Sequence, residues 1–306
     1  MKEESRGTRS WLREAGIRPR KAWGQNFLLN PRVAEAIVQR FEPGPGIGIL
    51  EVGAGAGSLT LPALHAGAAV IAVERDPALG ELLSRRIAAE APAARAEVRI
   101  EDILAIDPAV AIASFAGVLR ERDLPLPEAW LLAGNLPYRF TTQILAWAAK
   151  HRLAFGRIFF MVQREYAERL MAAPGTGEYG SLTVWMSLYF QPRKEMPVGP
   201  GNFWPIPKVD SVVVRLDPLS EPPVDIPSEE IFTRICRAAF GRRRKMLAGA
   251  LAGGLHLSKA QVEAALAIAG VDGRLRAEDC DPAQFAAMSR AFAPMLNTCD
   301  PESPSC

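Results

Sequence analysis

At the end of one apolar run stand Asn135, Leu136, Pro137 and Tyr138, which together supply two hydrogen-bond acceptors, a rigid backbone and an aromatic ring. Such a set suits a nitrogen that must be made nucleophilic. The exocyclic N6 of adenine is a poor nucleophile because its lone pair is delocalised into the ring. The Asn135 side-chain oxygen and the Leu136 carbonyl can each accept one N6 hydrogen, pyramidalising the nitrogen and freeing that pair. Pro137 fixes the backbone and removes a competing N–H, and Tyr138 offers a ring on which a base can stack. These four are the candidate catalytic residues. Asn-Pro turns are common, so their company decides the reading.

That company is a glycine loop and three acids. The stretch EVGAGAGSLT (51–60) places glycines at 53, 55 and 57, with Ser58 where a dinucleotide fingerprint would want a third spaced glycine. Glu51, just ahead of the loop, is unfriendly to a pyrophosphate but suits the sulfonium and ammonium of S-adenosyl-L-methionine. Glu74 ends the second apolar run, where a carboxylate accepts from ribose hydroxyls. Glu101-Asp102 end the third, where Asp102, with Ile103 beside it, can meet an adenine amino group. A single acid at a strand end ordinarily caps a helix. Three in succession predict a donor pocket made of Glu51, Gly53, Gly55, Gly57, Glu74, Asp102, Ile103 and Asn135, with S-adenosyl-L-methionine as the cofactor.

A sheet must position these residues. Runs rich in Val, Ile and Leu recur at 46–52, 68–74, 96–102, 129–135 and 157–163, separated by amphipathic stretches. They read as parallel strands buried on both faces, giving an α/β, Rossmann-like, doubly wound sheet. Ahead of them, Asn30 as N-cap and Pro31 at the first helical position mark a helix with Val33, Ile37, Val38 and Phe41 on one side. Residues 209–216 form a further strand, and past a linker at 221–228 the pattern is wholly helical. The expected division is a basic N-terminal extension (1–22), a methyltransferase domain (23–220), a small helical RNA-binding domain (225–295) and a flexible tail (296–306).

Composition narrows the class. The 306 residues are 49% apolar, enough for a substantial core. No run of 18 apolar residues and no secretory leader occur, so no membrane partner and a cytoplasmic location are expected. The four cysteines lack metal spacing and read as free thiols, and the three histidines lack ligand-spaced partners, so no metal is expected. Net charge is only +2, but 231–245 holds six Arg/Lys and no acid, and Arg242, Arg243, Arg244 and Lys245 are the candidate RNA contacts.

With these residues in view, the chain resembles the KsgA/RsmA family of small-subunit (16S) ribosomal RNA adenine N6,N6-dimethyltransferases. The likeness rests on GQNFL (24–28), EVGAGAGSLT, GNLPY (134–138), MVQREYAERL (161–170), YGSLTV (179–184), FWPIPKVDSVVVRL (203–216), FGRRRKML (240–247) and RAEDCDPAQFAAM (276–288). It implies a class I methyltransferase sheet, donor contacts at Asn26 and Leu28 in an N-terminal lid and at Gly53, Glu74, Asp102 and Asn135, and a helical domain that helps to grip RNA. It further implies dimethylation of two neighbouring adenosines in the 3′-terminal hairpin loop of that RNA within the immature subunit. A monomer is the plain default, independent of the resemblance. Arg139, Trp23 and Cys280 depart from the usual pattern. Two alternatives stay open: a large-subunit rRNA adenine methyltransferase of the macrolide-resistance type, and a non-catalytic RNA-binding assembly factor. DNA adenine methylation fits less well, because Leu136 stands where a second proline is usual.

Overall fold

The computed structural model describes residues 7–20, 23–242 and 245–296. The tail expected at 296–306 lies, beyond its first residue, outside that range. The chain divides into two compact units, residues 1–167 with 192–218 and residues 168–191 with 219–306.

In the first unit, α1 (Thr8–Glu14), β1 (Phe27–Leu28) and α2 (Pro31–Gln39) precede a regular alternation: β2 (Ile47–Val52), α3 (Thr60–His65), β3 (Ala69–Glu74), α4 (Pro77–Glu90), β4 (Ala96–Ile100), α5 (Pro108–Glu121), β5 (Ala129–Asn135), α6 (Thr141–Lys150) and β6 (Arg157–Gln163). The helices α7 (Arg164–Leu170) and α8 (Ser181–Met186) come next, and then β7 (Phe190–Val198), β8 (Phe203–Trp204) and β9 (Ser211–Pro218). The seven-stranded sheet has the order β4-β3-β2-β5-β6-β9-β7. Strands β4 to β6 are parallel and β9 runs antiparallel to β6. Because the order reverses at β2, crossovers leave on both faces and a crevice opens at the carboxyl ends of β2 and β5. The expected doubly wound sheet is the one observed.

Burial follows position in that sheet. Every residue of β3 is buried, as continuous apolar strands between two helical layers require. The edge strand β4 is only half-buried, contrary to the expectation for 96–102, and it ends at Ile100, leaving Glu101 and Asp102 on the loop beyond. In β5, a β-carbon on Gly134 would stand 2.5 Å from the Val52 carbonyl oxygen. Only bare backbone lets β5 approach β2 this closely just before Asn135.

Three helices, α2, α4 and α5, start by one recurring device. Asn30, Asp76 and Asp107 each cap a helix whose next residue is proline, the side chain accepting from the N–H two residues on, which satisfies a donor the first turn leaves open. In α2, Ala34, Ile37 and Val38 are buried, as is Phe41 just beyond. Where described, the basic N-terminal run is docked on its unit: Leu12 is fully buried in a cluster with Phe27, Ala56, Leu79 and Leu82. Arg86 reinforces that docking, donating to the Ala56 carbonyl at 2.6 Å and lying over the Trp11 ring.

The second unit is helical: α8, α9 (Glu229–Phe240), α10 (Leu247–Leu255), α11 (Lys259–Ala269) and α12 (Pro282–Leu296). Residues 168–191, which the sequence reading placed in the methyltransferase domain, belong here. Tyr179 packs edge-on to Phe240, and Phe240 stacks on Phe285 at 5.5 Å, so the apolar side chains of this stretch find their partners across a gap of sixty residues. Cys236 and Cys280 are buried free thiols. Among the described residues no helix is long and apolar enough to cross a membrane.

Candidate active site

The crevice predicted by strand order contains a cavity of about 340 Å³. It brings together Asn26, Leu28, Glu51, Gly53, Gly55, Glu74, Asp102, Ile103, Asn135, Leu136, Pro137 and Tyr138. Gly57 does not line it. With φ at +84° and a virtual β-carbon only 2.6 Å from a Leu83 methyl, Gly57 serves the turn and its packing instead.

Each acid is held by specific donors. The two oxygens of Glu74 accept from Gly55 N–H and Asp76 N–H, both at 2.8 Å, so the carboxylate that faces the cavity also clamps the glycine loop. Burial pushes its pKa up, opposed by those N–H groups. Glu51 is 3% exposed and accepts from Thr60 Oγ1 at 2.5 Å. Burial raises its carboxyl to about 8, Thr60 opposes this, and the nearby Glu74 adds to it. A carboxyl so poised ionises readily when a cation arrives. Asp102 accepts from Leu104 N–H at 3.1 Å through Oδ1, while Oδ2 pairs with Arg75 at 3.3 Å.

At the opposite wall the Asn135 amide nitrogen donates to the Asn26 carbonyl at 2.9 Å. A carbonyl oxygen only accepts, so this contact fixes which way the amide points and leaves Oδ1 as the free acceptor. Leu136 N–H donates to the Met161 carbonyl at 3.1 Å, extending the β5–β6 ladder, and Pro137 is closed into a turn by Phe140 N–H at 2.9 Å. A β-carbon on Gly53 would lie 4.0 Å from Pro137 Cδ, so the glycine loop and the Asn-Leu-Pro-Tyr turn adjoin. Tyr138 is half-buried, its hydroxyl hydrogen-bonded to the fully buried Ser211 at 2.9 Å. Burial raises that phenol's pKa, with Ser211 opposing.

The wall also holds residues to which the sequence reading gave no role in the site. The Arg75 guanidinium lies 5.6 Å from the Trp23 ring centre and 6.0 Å from that of Phe140, and all three line the cavity. Ser58, which stood out only as a non-glycine, donates to the Leu28 carbonyl at 2.7 Å and ties the loop to β1. Of the candidate RNA contacts, Arg242 and Lys245 are exposed, and Arg243 and Arg244 lie outside the described residues.

A glycine loop after β2, acids at the ends of β2 and β3 and just past β4, and a cavity at the reversal of strand order define an S-adenosylmethionine-dependent methyltransferase. Residues 16–293 match the family described as ribosomal RNA adenine dimethylase, and the chain belongs to that family. It is 41% identical over 282 residues to the ribosomal RNA small subunit methyltransferase A of Geobacter metallireducens, spanning 92% of this chain and 98% of the relative. To the protein of the same name from Moorella thermoacetica it is 37% identical over 287 residues, covering 93% and 96%. Among solved structures, a dimethyladenosine transferase from Plasmodium falciparum shares the fold with a TM-score of 0.67 at 22% identity, over 88% of this chain and 98% of that one. The 23S rRNA methyltransferase ErmE matches with a TM-score of 0.59 at 25% identity, over 87% and 99%. The chain is thus an rRNA adenine dimethyltransferase that uses S-adenosylmethionine.

Proposed function

We propose that the chain dimethylates N6 of two adjacent adenosines in the 3′-terminal hairpin loop of small-subunit (16S) rRNA, acting as a cytoplasmic monomer on the immature subunit. The single observation that carries this reading is the orientation of Asn135. Its N–H₂ is spent on the Asn26 carbonyl and its oxygen is left for a base at the rim it shares with Gly53. Relatives named ribosomal RNA small subunit methyltransferase A, 37–41% identical over more than nine-tenths of this chain, support the small subunit. The intact cavity supports catalysis over a purely structural assembly role.

The residues fit the donor. Glu51 and Glu74 offer buried carboxyls to its cationic and ribose portions, and Asp102 offers an acceptor to its adenine amine. Bound there, it supplies an electrophilic methyl on a positively charged sulfur. Asn135 Oδ1 and the Leu136 carbonyl accept the N6 hydrogens of the target adenine, two before the first transfer and one before the second, turning its lone pair toward that methyl, and the proton displaced by each new N–C bond passes to solvent. Tyr138, fixed by its hydroxyl on Ser211, presents a ring to the everted base. Eversion costs a few kcal/mol and one aromatic contact returns about 1–3 kcal/mol, so Tyr138 offsets much of it. No strong base is required, because alignment of amine and methyl itself lowers the barrier.

The test is incubation of under-methylated small and large subunits, separately, with labelled donor, followed by mass spectrometry of the digested RNA. N6,N6-dimethyladenosine in the small subunit alone is expected. Label in the large subunit alone, or in neither, overturns the assignment.

A further inference from the structure

The helical unit contains a second concavity, of about 700 Å³, lined by α9, the first residues beyond it and one side of α10. Helices α9 and α10 meet at Ala238 and Gly254 so closely that a β-carbon on Gly254 would stand 2.7 Å from that of Ala238. This approach leaves a floor of small residues, Ala238, Ala250 and Gly254, beside Arg234, Arg237 and Arg242. Arg234 and Arg237 are three residues apart on α9 and so share a face. The Arg242 guanidinium lies over α10, 3.3 Å from where a β-carbon of Gly253 would be.

Among the described residues none of these three guanidiniums is hydrogen-bonded or ion-paired. Glu230, four residues before Arg234 at a spacing that ordinarily pairs, leaves it open. Elsewhere in the same unit the exposed Arg274 and Arg276 are engaged by Asp272 and Glu278. Glu229 and Glu230 also line the cleft, but with no bond to any of the three guanidiniums, which repel one another. A ligand bearing several regularly spaced anionic groups relieves that repulsion, and the planar fork of arginine matches phosphate oxygens two at a time.

We propose that Arg234, Arg237 and Arg242 form a backbone-binding cleft for consecutive phosphodiesters of the rRNA substrate, with Glu229 and Glu230 at its lining excluding the strand from one end. This rests on the reading of the chain as an enzyme acting on small-subunit rRNA. The cleft adds two arginines on α9 to the basic segment at the carboxyl end of that helix.

Binding of the full chain to under-methylated small subunits and to an unmodified small-subunit rRNA transcript, measured across a series of salt concentrations, tests it. For Arg234→Ala with Arg237→Ala, affinity at moderate salt is expected to fall about tenfold or more, and the slope of log K against log salt to shrink by roughly 0.7–0.9 per contact removed. S-adenosylhomocysteine binding stays unchanged, and the corresponding double lysine variant recovers the slope, separating lost charge from a lost fold. An alanine variant with the parent's affinity and slope overturns the cleft alone. Weakened binding to assembled subunits but not to the naked transcript makes the ligand a protein and also overturns it. A parent chain that binds neither the transcript nor the under-methylated small subunit sinks the substrate reading itself, and the cleft with it.

Discussion

The donor cavity and the arginine cleft treat charge in opposite ways. In the cavity each polar group is tied to a specific partner: Glu51 to Thr60, Glu74 to two backbone N–H groups, Asp102 to Leu104 and Arg75, Asn135 to the Asn26 carbonyl. In the cleft three guanidiniums stand without partners among the described residues. A small ligand of fixed shape rewards groups locked before it arrives, since nothing then has to reorganise. A polymer with repeating charges rewards groups that can follow it. Energy in the cavity therefore resides in geometry, and energy in the cleft resides in counterion release.

Substitutions in the cavity break this contrast most sharply. Asn135→Ala removes an acceptor aimed at the reacting nitrogen, and single-turnover methyl transfer to unmodified subunits is expected to fall roughly 10²–10³-fold. S-adenosylhomocysteine affinity by calorimetry should change less than tenfold; comparable losses in both would make Asn135 a donor contact only. Glu74→Gln turns an NH₂ toward one of two backbone donors and leaves it unsatisfied at a cost of about 1–3 kcal/mol. Donor affinity in the same assay should fall roughly ten- to a hundredfold, and retention of full affinity would show that the loop does not depend on that carboxylate.

A gentler test uses protons. Because burial holds the Glu51 carboxyl at about 8, it is mostly protonated at neutral pH. A cationic ligand favours its ionised form, so binding releases a proton and affinity rises with pH until it levels above 8, by at most about tenfold per unit. Calorimetry in two buffers of different ionisation heat reads that proton directly. Glu51→Gln should remove the pH dependence, and an unaltered profile would assign it to another group. The smallest effect sharpens the comparison at the cavity's least confined corner. Arg75→Met frees Asp102 Oδ2 from an ion pair that is partly exposed and so worth no more than about 1 kcal/mol. Donor affinity should rise about threefold at low salt and match the parent at high salt.

Much of this site was legible because strand ends are visible in a sequence. The apolar runs stop at Glu74 and Asn135, and a residue that closes such a run faces the carboxyl edge of the sheet, whichever helices cover it. Arg75 gave no such signal. It follows Glu74 immediately, but its role depends on Trp23 and Phe140, which approach it from distant segments. Gly57 carried the spacing of a ligand-facing glycine, yet Leu83 on α4 occupies the space beside it. The domain boundary failed for a similar reason. Nothing local in residues 168–191 says that Tyr179 packs against Phe240, and the docking of α1 rests on Leu12 meeting residues from distant segments.

The bond between Asn135 and the Asn26 carbonyl carries one more consequence. The amide is aimed by main chain from 109 residues earlier, and an amide is a two-faced group. Were residues 24–28 to swing aside, the side chain could turn over and offer hydrogens instead of oxygen, meeting an adenine amine donor to donor. An enzyme without that bond would then be set against its substrate as well as loose around it, so that the segment walling the cavity is also the one that arms the acceptor.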